Sequence, residues 1–382
     1  MDINQDNRIN VSIAQQRPAL SKLNIASTFF STSTSTLLFT STLIFILFLT
    51  GCAGTQEVKR RYLWPPLPDT PVIEWVGTYS SQLDFPKSGT EAFLESVVGS
   101  EPDYLRKPWG VASDGNGKMY VTDPQNADVK VFDMNKKTMT PFLEEEEALF
   151  KVPIGVALDA SGNIYISDSN KHRIFVFSSD KKPLFNIGED GKLNGPTGLA
   201  VDDERKRLYI VNSRNNNIAV YDLKGNFLFT FSGPGTWPGR MNYPTDLDID
   251  SKGNIVVADA MNARVQIFGP DGKFINRFGQ RGDGLTDFQL IKGIAVDKKT
   301  DNIYVVDGRG DRFIIFSKSG EPLLAVGRTA SASKRQSPGG FSIPQDISID
   351  KNGAVYVVDS INGRVQVFQI IDEEWLRKNP LK

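Results

Sequence analysis

Asp recurs with Arg five residues behind it at four places in this chain: Asp168 and Arg173, Asp259 and Arg264, Asp307 and Arg312, Asp359 and Arg364. Such charges could ring an ionic ligand, or they could pair locally and cap turns. Their regular recurrence favours local pairing. A second series, Asp114, Asp159, Asp202, Asp250, Asp297 and Asp350, often reads Asp-x-x-Gly. It looks like the opening of a calcium loop but lacks the later ligand positions, including the bidentate Glu, so tight turns are expected instead. Two further acids, Asp246 and Asp346, stand where related segments carry Gly110, Gly155, Gly198 and Gly293. Two readings stand for them: a cation or cationic group held in a central channel, or hydrogen bonds to a neighbouring segment. Two acids without a third ligand make a poor metal site, so no metal and no cofactor is expected.

The rest of the composition removes other chemistries. Among 382 residues there is one histidine, His172, and one cysteine, Cys52. That excludes an internal disulfide, thiolate metal sites, His-cluster zinc sites and most His-based acid–base catalysis. Lys and Arg number 44 against 45 Asp and Glu, a net charge of −1, which offers polyanions no general attraction. Nucleic acid is therefore not an expected partner. No catalytic constellation emerges, and the chain reads as a non-enzyme.

The elements that position these residues come from self-similarity. "YVVDSINGRVQVF" (356–368) recurs as "YVTDPQNADVKVF" (120–132), "YISDSNKHRIFVF" (165–177), "YIVNSRNNNIAVY" (209–221), "VVADAMNARVQIF" (256–268) and "YVVDGRGDRFIIF" (304–316). The spacing of 44–52 residues is that of propeller blades. Each unit reads as four short strands, the first opening at a proline or, in unit five, at Ile291. The fourth strand of unit one is weak ("MTPFL", 139–143), and unit six has none. "PVIEWVGTYS" (71–80) is a strand without a unit; pairing beside residues 365–370 would complete blade six and close the ring. Residues 90–99 read as a short amphipathic helix, and "EEEE" (144–147) as a solvated loop. Six apolar residues, Leu105, Phe150, Leu193, Met241, Phe288 and Phe341, each three before a blade opening, are expected to wedge between blades.

Ahead of all this, Leu37 to Leu49 form an uncharged run of thirteen residues, too short for a membrane-spanning helix, which needs roughly 20. It fits the apolar region of a secretory signal. Leu49-Thr50-Gly51-Cys52 resembles the lipobox of bacterial lipoproteins. The resemblance implies cleavage before Cys52 and acylation there; Ala53 rather than Asp behind the cysteine implies the outer membrane. The polar stretch before the run is long for a signal, and a translation start near Leu20 would shorten it.

Together these features resemble bacterial six-bladed NHL-type propeller lipoproteins over residues 49 to about 370. The resemblance implies an all-β fold: a six-bladed NHL-type β-propeller closed by an N-terminal strand, behind a lipoprotein signal peptide. The expected organisation is a signal peptide (1–51), lipidated Cys52 with a Pro-rich tether (52–70), the propeller (71–370) and a polar C-terminal tail (371–382). This fold hosts many unrelated activities.

Three inter-blade crossings are long: residues 232–244, 279–291 and 327–344. With neighbouring turns they bring Arg214, Arg240, Arg281, Arg309, Arg328, Lys334 and Arg335 to one rim, with Trp237 nearby. Long loops on a rigid scaffold are where recognition lives, and Arg and Trp dominate binding hot spots. The expectation is a monomeric, lipid-anchored envelope protein whose propeller is a scaffold for another envelope protein. The alternative is a metal-dependent lactonase-, esterase- or lyase-like propeller enzyme acting on a small molecule. Resembling lyases place several histidines on zinc, and lactonase-like relatives place Glu, Asn and Asp around calcium; neither set can be placed here.

Overall fold

The structure, a computed structural model, describes residues 60–85, 103–143, 149–330 and 337–381. The signal segment, Cys52, residues 90–99, the acidic run 144–147, Lys334 and Arg335 lie outside the described residues. No helix among the described residues is long and apolar enough to cross a membrane.

Why strands form is plain from the middle of each repeat. "IVVAD", "IYVVD" and "IYISD" are short apolar runs, and every residue of Ile255–Asp259, Ile303–Asp307 and Ile164–Asp168 is buried. Such a run suits a strand covered on both faces. Polar hairpin turns then fold each repeat into an antiparallel sheet. Blades one to four have four strands each, including Thr138–Pro141 as the fourth strand of blade one. Six apolar clusters lie between successive blades, the last joining blade six to blade one, so the ring is closed. All six wedge residues are buried in them or against them. Each such Leu or Phe contributes about 1.5–3 kcal/mol by leaving water.

Blade six takes its inner three strands, Pro344–Ile349, Ala354–Asp359 and Arg364–Ile370, from one end of the propeller and its outer strands from the other. Ile73–Tyr79 pairs antiparallel with Arg364–Ile370, running from Ile73 opposite Ile370 to Tyr79 opposite Val365. Part of the stretch read as tether also joins the blade: Tyr62–Trp64 is a fifth strand, with Trp64 opposite Ile73 and its ring 5.7 Å from that of Phe368. The tail is likewise not loose. Asp372 caps a short helix, Glu373–Lys378, whose Trp375 Nε1 donates to Glu74 Oε2 at 3.1 Å. Arg61 grips the same carboxylate with two bonds of 2.7 and 2.6 Å and donates to the carbonyls of Asn379 and Pro380. Blade five gains its own extra strand, Gly340–Phe341, lying parallel to Pro322–Thr329.

Because strands alternate in direction, the propeller has two distinct faces. The upper face gathers the starts of the inner strands, the turns between second and third strands, and the long crossings. The lower face gathers the turns joining first to second and third to fourth strands.

Candidate functional site

The recurring Asp at the end of each second strand is a staple. It accepts the backbone N–H groups of the loop entering the same blade: Asp123 from Arg106 (2.7 Å) and Lys107, Asp168 from Lys151 (2.6 Å) and Val152, Asp259 from Asn242 (2.7 Å), Asp307 from Leu290 (2.9 Å), Asp359 from Ser342 (2.7 Å). Asn212 does the same for Asn194 in blade three (2.6 Å). Three of the four arginines complete the staple: Arg264 Nε lies 2.8 Å from Asp259, Arg364 Nε 2.7 Å from Asp359, and Arg312 3.5 Å from Asp307. Arg173 departs and faces Glu189 at 3.5 Å. Burial pushes the Asp259 and Asp359 carboxyls above their ordinary value, while amide and guanidinium donors pull the other way. These charges are consumed in holding the fold. The second series behaves similarly: Asp159, Asp250 and Asp350 each accept two N–H groups of their own turn at 2.8–3.1 Å.

Asp246 and Asp346 sit one residue inside the channel wall. Asp246 Oδ2 accepts the N–H of Ile294 (2.9 Å), and Asp346 Oδ2 accepts that of Val111 (2.8 Å), so each ties its blade to the next. Their neighbours in the ring are glycines because the fit is close: a Cβ on Gly293 would stand 2.6 Å from the Asp346 Cα and 2.7 Å from its Oδ1. The two carboxyls also interact with each other. Burial raises Asp346 to about 6, and burial together with the Asp346 charge holds Asp246 well above the usual carboxylate range. Burial thus favours the neutral form of each carboxyl. Lys292 lines the same space, its ammonium 5.4 Å from the Trp109 ring centre, and burial followed by the Lys107 charge lowers its pKa. The buried Gln345 Oε1 is without a hydrogen-bond partner. The cavity they enclose is only about 20 Å³, room for a single water. The space is too small to enclose an organic substrate.

On the lower face, beside blades one and two, lies a hollow of about 560 Å³ lined by Asp114, Asp159, Asp203, Lys118, Tyr120 and Lys351. Many of its charged groups are already engaged. Asp114 accepts from Asn116 and Lys118 N–H, Asp203 from Ala160 N–H, and Lys351 donates to Asn116 at 2.7 Å.

The upper face is different. Arg214, Arg240 and Arg309 are exposed, and among the described residues no ion pair or side-chain hydrogen bond engages their guanidinium groups. Trp237 projects from its crossing with 79% of its surface exposed. Arg281 is spent locally: it donates to the carbonyls of Met261 (2.9 Å) and Gln289 (3.3 Å), pinning its crossing to the blade-four turn. Arg328 lies on the strand Pro322–Thr329 and reaches Ser337 Oγ only at 3.5 Å. The structure adds an apolar set to these cations: Tyr104, Tyr243, Met261, Leu285, Ile343 and Ile361 are all exposed on this face.

Comparison with known proteins agrees with this geometry. Residues 250–324 match a family model described as a 6-bladed beta-propeller, and residues 150–177 and 341–368 match the NHL repeat. The chain carries NHL repeats on a six-bladed propeller. Among curated proteins, this NHL propeller is 29% identical over 140 residues to Protein brain tumor of Drosophila melanogaster, covering 36% of the chain and 13% of that protein. It is 30% identical over 142 residues to the peptidylglycine alpha-amidating monooxygenase of Rattus norvegicus, covering 35% of the chain and 14% of the enzyme. The chain thus spans about one seventh of these relatives' length. Among solved structures, a gluconolactonase from Xanthomonas campestris superposes with a TM-score of 0.53 at 15% identity, covering 78% of this chain and 98% of that one. That likeness concerns the fold alone. Enzymes and NHL-repeat proteins both stand among the similar proteins, so these likenesses leave catalysis open.

The apolar half of the upper face escaped sequence reasoning. Its signal was present at the residue before the blade-opening proline, where blade three has Gly195 but blades four and six have Tyr243 and Ile343.

Proposed function

We propose that this NHL propeller is a non-enzymatic binding platform, and that its upper face docks a protein partner. One observation carries this reading. Unengaged arginines and exposed large apolar side chains coincide on the upper face. On the lower face the described turns joining first to second and third to fourth strands expose no large apolar residue, and only the Trp64–Ile73 turn of blade six does, with Leu67 and Val72. Arg beside aromatic and aliphatic groups is the composition of interface hot spots. We further propose that Cys52 carries a lipid anchor holding the propeller at the bacterial envelope, most simply the outer membrane, and that the partner is another envelope protein. The support for the anchor is the uncharged run ahead of Leu49-Thr50-Gly51-Cys52.

The test is crosslinking in living cells followed by purification of the full chain, compared with a variant carrying Arg214→Glu, Arg240→Glu and Arg309→Glu. A partner recovered with the wild type and lost with the variant supports the reading. Equal recovery, or none in either case, counts against it. Replacement of Cys52 by Ser should move the protein from the membrane to the soluble fraction; unchanged membrane association would sink the anchor.

A second reading, catalysis on a small molecule, draws on the buried carboxyls of Asp246 and Asp346, both raised above their ordinary value, and on the gluconolactonase-like fold. A substrate would have to sit in the lower hollow, since ligand pockets occupy about 300–1,000 Å³. Among the described residues no group of three or more His, Cys, Asp or Glu side chains is placed to hold a metal ion. A stoichiometric divalent metal in the purified protein would favour this reading over the first.

A further inference from the structure

Three of the residues that precede an inner strand adopt left-handed backbone: Gly195 (φ 63°), Tyr243 (φ 50°) and Ile343 (φ 48°). Each occupies the same station in its blade, and in each the N–H is captured by the turn of the preceding blade. Gly195 N–H donates to His172 Nδ1 (3.0 Å), Tyr243 N–H to Asn216 Oδ1 (2.6 Å) and Ile343 N–H to Asp311 Oδ1 (2.8 Å). The backbone there asks for glycine, and blade three supplies it. Tyrosine is disfavoured in that conformation, and β-branched isoleucine is a genuine outlier. Neither side chain joins an apolar cluster of the core; Tyr243 is 45% and Ile343 42% exposed. The fold therefore gains nothing evident from having these side chains where glycine would serve.

Each strained residue stands beside an exposed apolar turn residue. Met261 N–H donates to the carbonyl of Asn242 (3.0 Å) and Ile361 N–H to that of Ser342 (3.3 Å), which sets Met261 next to Tyr243 and Ile361 next to Ile343. Arg214 and Arg309 hold the corresponding turn positions of blades three and five. From blade three to blade six the upper mouth thus reads cation, apolar pair, cation, apolar pair.

Building on the proposal that the upper face binds protein, we infer that this arc docks an acidic polypeptide segment whose apolar side chains are flanked by carboxylates. Arg214 and Arg309 would take carboxylates bidentately, and the two pairs would cover the apolar anchors. Three of the four apolar groups are aliphatic and offer no stacking face to a base, which favours a peptide over single-stranded nucleic acid. Backbone strain kept at a surface station matches a site maintained for binding.

The experiment selects a random twelve-residue peptide library, displayed on phage, on the immobilised full chain. The most enriched peptide is then synthesised with a fluorescent label and its affinity measured by anisotropy. The expected peptide carries Asp or Glu on both sides of a large apolar residue. Its Kd should rise at least tenfold with Arg214→Ala/Arg309→Ala, and at least tenfold with Tyr243→Gly/Ile343→Gly. The glycine variant should keep a Tm within about 2 °C of wild type or above it, because the backbone strain is relieved. Enrichment of peptides without acids, no enrichment at all, an unchanged Kd in the glycine variant, or tighter binding of a labelled oligouridylate would each overturn the inference. If in-cell crosslinking is lost with the arginine reversals but kept with Tyr243→Gly/Ile343→Gly, the face remains a docking surface and only the arc is wrong. If crosslinking survives the reversals as well, both readings fall.

Discussion

The upper and lower faces of this propeller are made by the same repeat, yet they use their polar groups in opposite ways. On the lower face, carboxylates turn inward on their own backbone. Asp250 accepts from Lys252 and Asn254, Asp350 from Asn352 and Ala354, and Asp222 from Lys224 and Asn226. On the upper face the inward work is done by the buried staples, leaving Arg214, Arg240 and Arg309 outward with no partner among the described residues. Structural carboxylates on the lower face thus contrast with available guanidinium groups on the upper face, although the lower face also exposes Lys252, Lys273 and Lys318. A count of charges sees neither, because the total nearly cancels.

That contrast can be broken most severely at a staple. Asp359→Ala leaves Arg364 buried, and Ser342 loses its acceptor. Removing one partner of a buried pair costs about 3–5 kcal/mol, so the expected drop in Tm is about 10 °C by calorimetry. A drop under about 2 °C would mean the staple is dispensable and the separation of roles fails. Next comes binding. Glutamate reversal of Arg214, Arg240 and Arg309 should reduce partner recovery at least tenfold, whereas reversal of the lower-face Lys252, Lys273 and Lys318 should not; equal losses would erase the difference between the faces.

The channel sharpens the picture through pH. Asp346 is raised to about 6 in the folded protein, above its ordinary value, so its contribution to stability is fully present below about pH 4. That contribution is lost as pH rises through about 6. Asp346→Asn keeps an acceptor for Val111 N–H and removes the titration. It should raise Tm by about 2–6 °C at pH 8 and leave it unchanged at pH 4; a gain at both values would point to packing instead. The smallest effect belongs to the lower face. Asp250→Ala loses three turn hydrogen bonds, from Lys252 N–H, Asn254 N–H and Asn254 Nδ2, at about 1 kcal/mol in all, or about 2–4 °C, with partner recovery untouched.

How far the sequence carried these conclusions varied with the length of the signal. A repeat of 44–52 residues, seen six times, made the blades, the wedges and the pairing of Ile73–Tyr79 with Arg364–Ile370 readable in advance. Tyr62–Trp64 was not readable, since three residues carry no usable periodicity, and the Glu373–Lys378 helix draws its docking from Trp375 meeting Glu74 across 301 positions. The sequence shows the rim cations by type, but not that Arg281 is held by backbone carbonyls. Its bond to the Met261 carbonyl depends on a loop path that no local pattern encodes. The left-handed backbone at Tyr243 and Ile343 was hidden for a related reason: composition flags glycine there, not the residues that tolerate its conformation.

Blade six joins Ile73 to Ile370 and Trp375 to Glu74. Its assembly has a consequence in time. A ribosome delivers the partner of Ile73–Tyr79 almost three hundred residues after it, so that edge stays open until Arg364–Ile370 has emerged. Loss of residues 368–382 would therefore harm the molecule far more than their number suggests. A protease that cuts there undoes the join between Ile73–Tyr79 and Arg364–Ile370, and with it the ring.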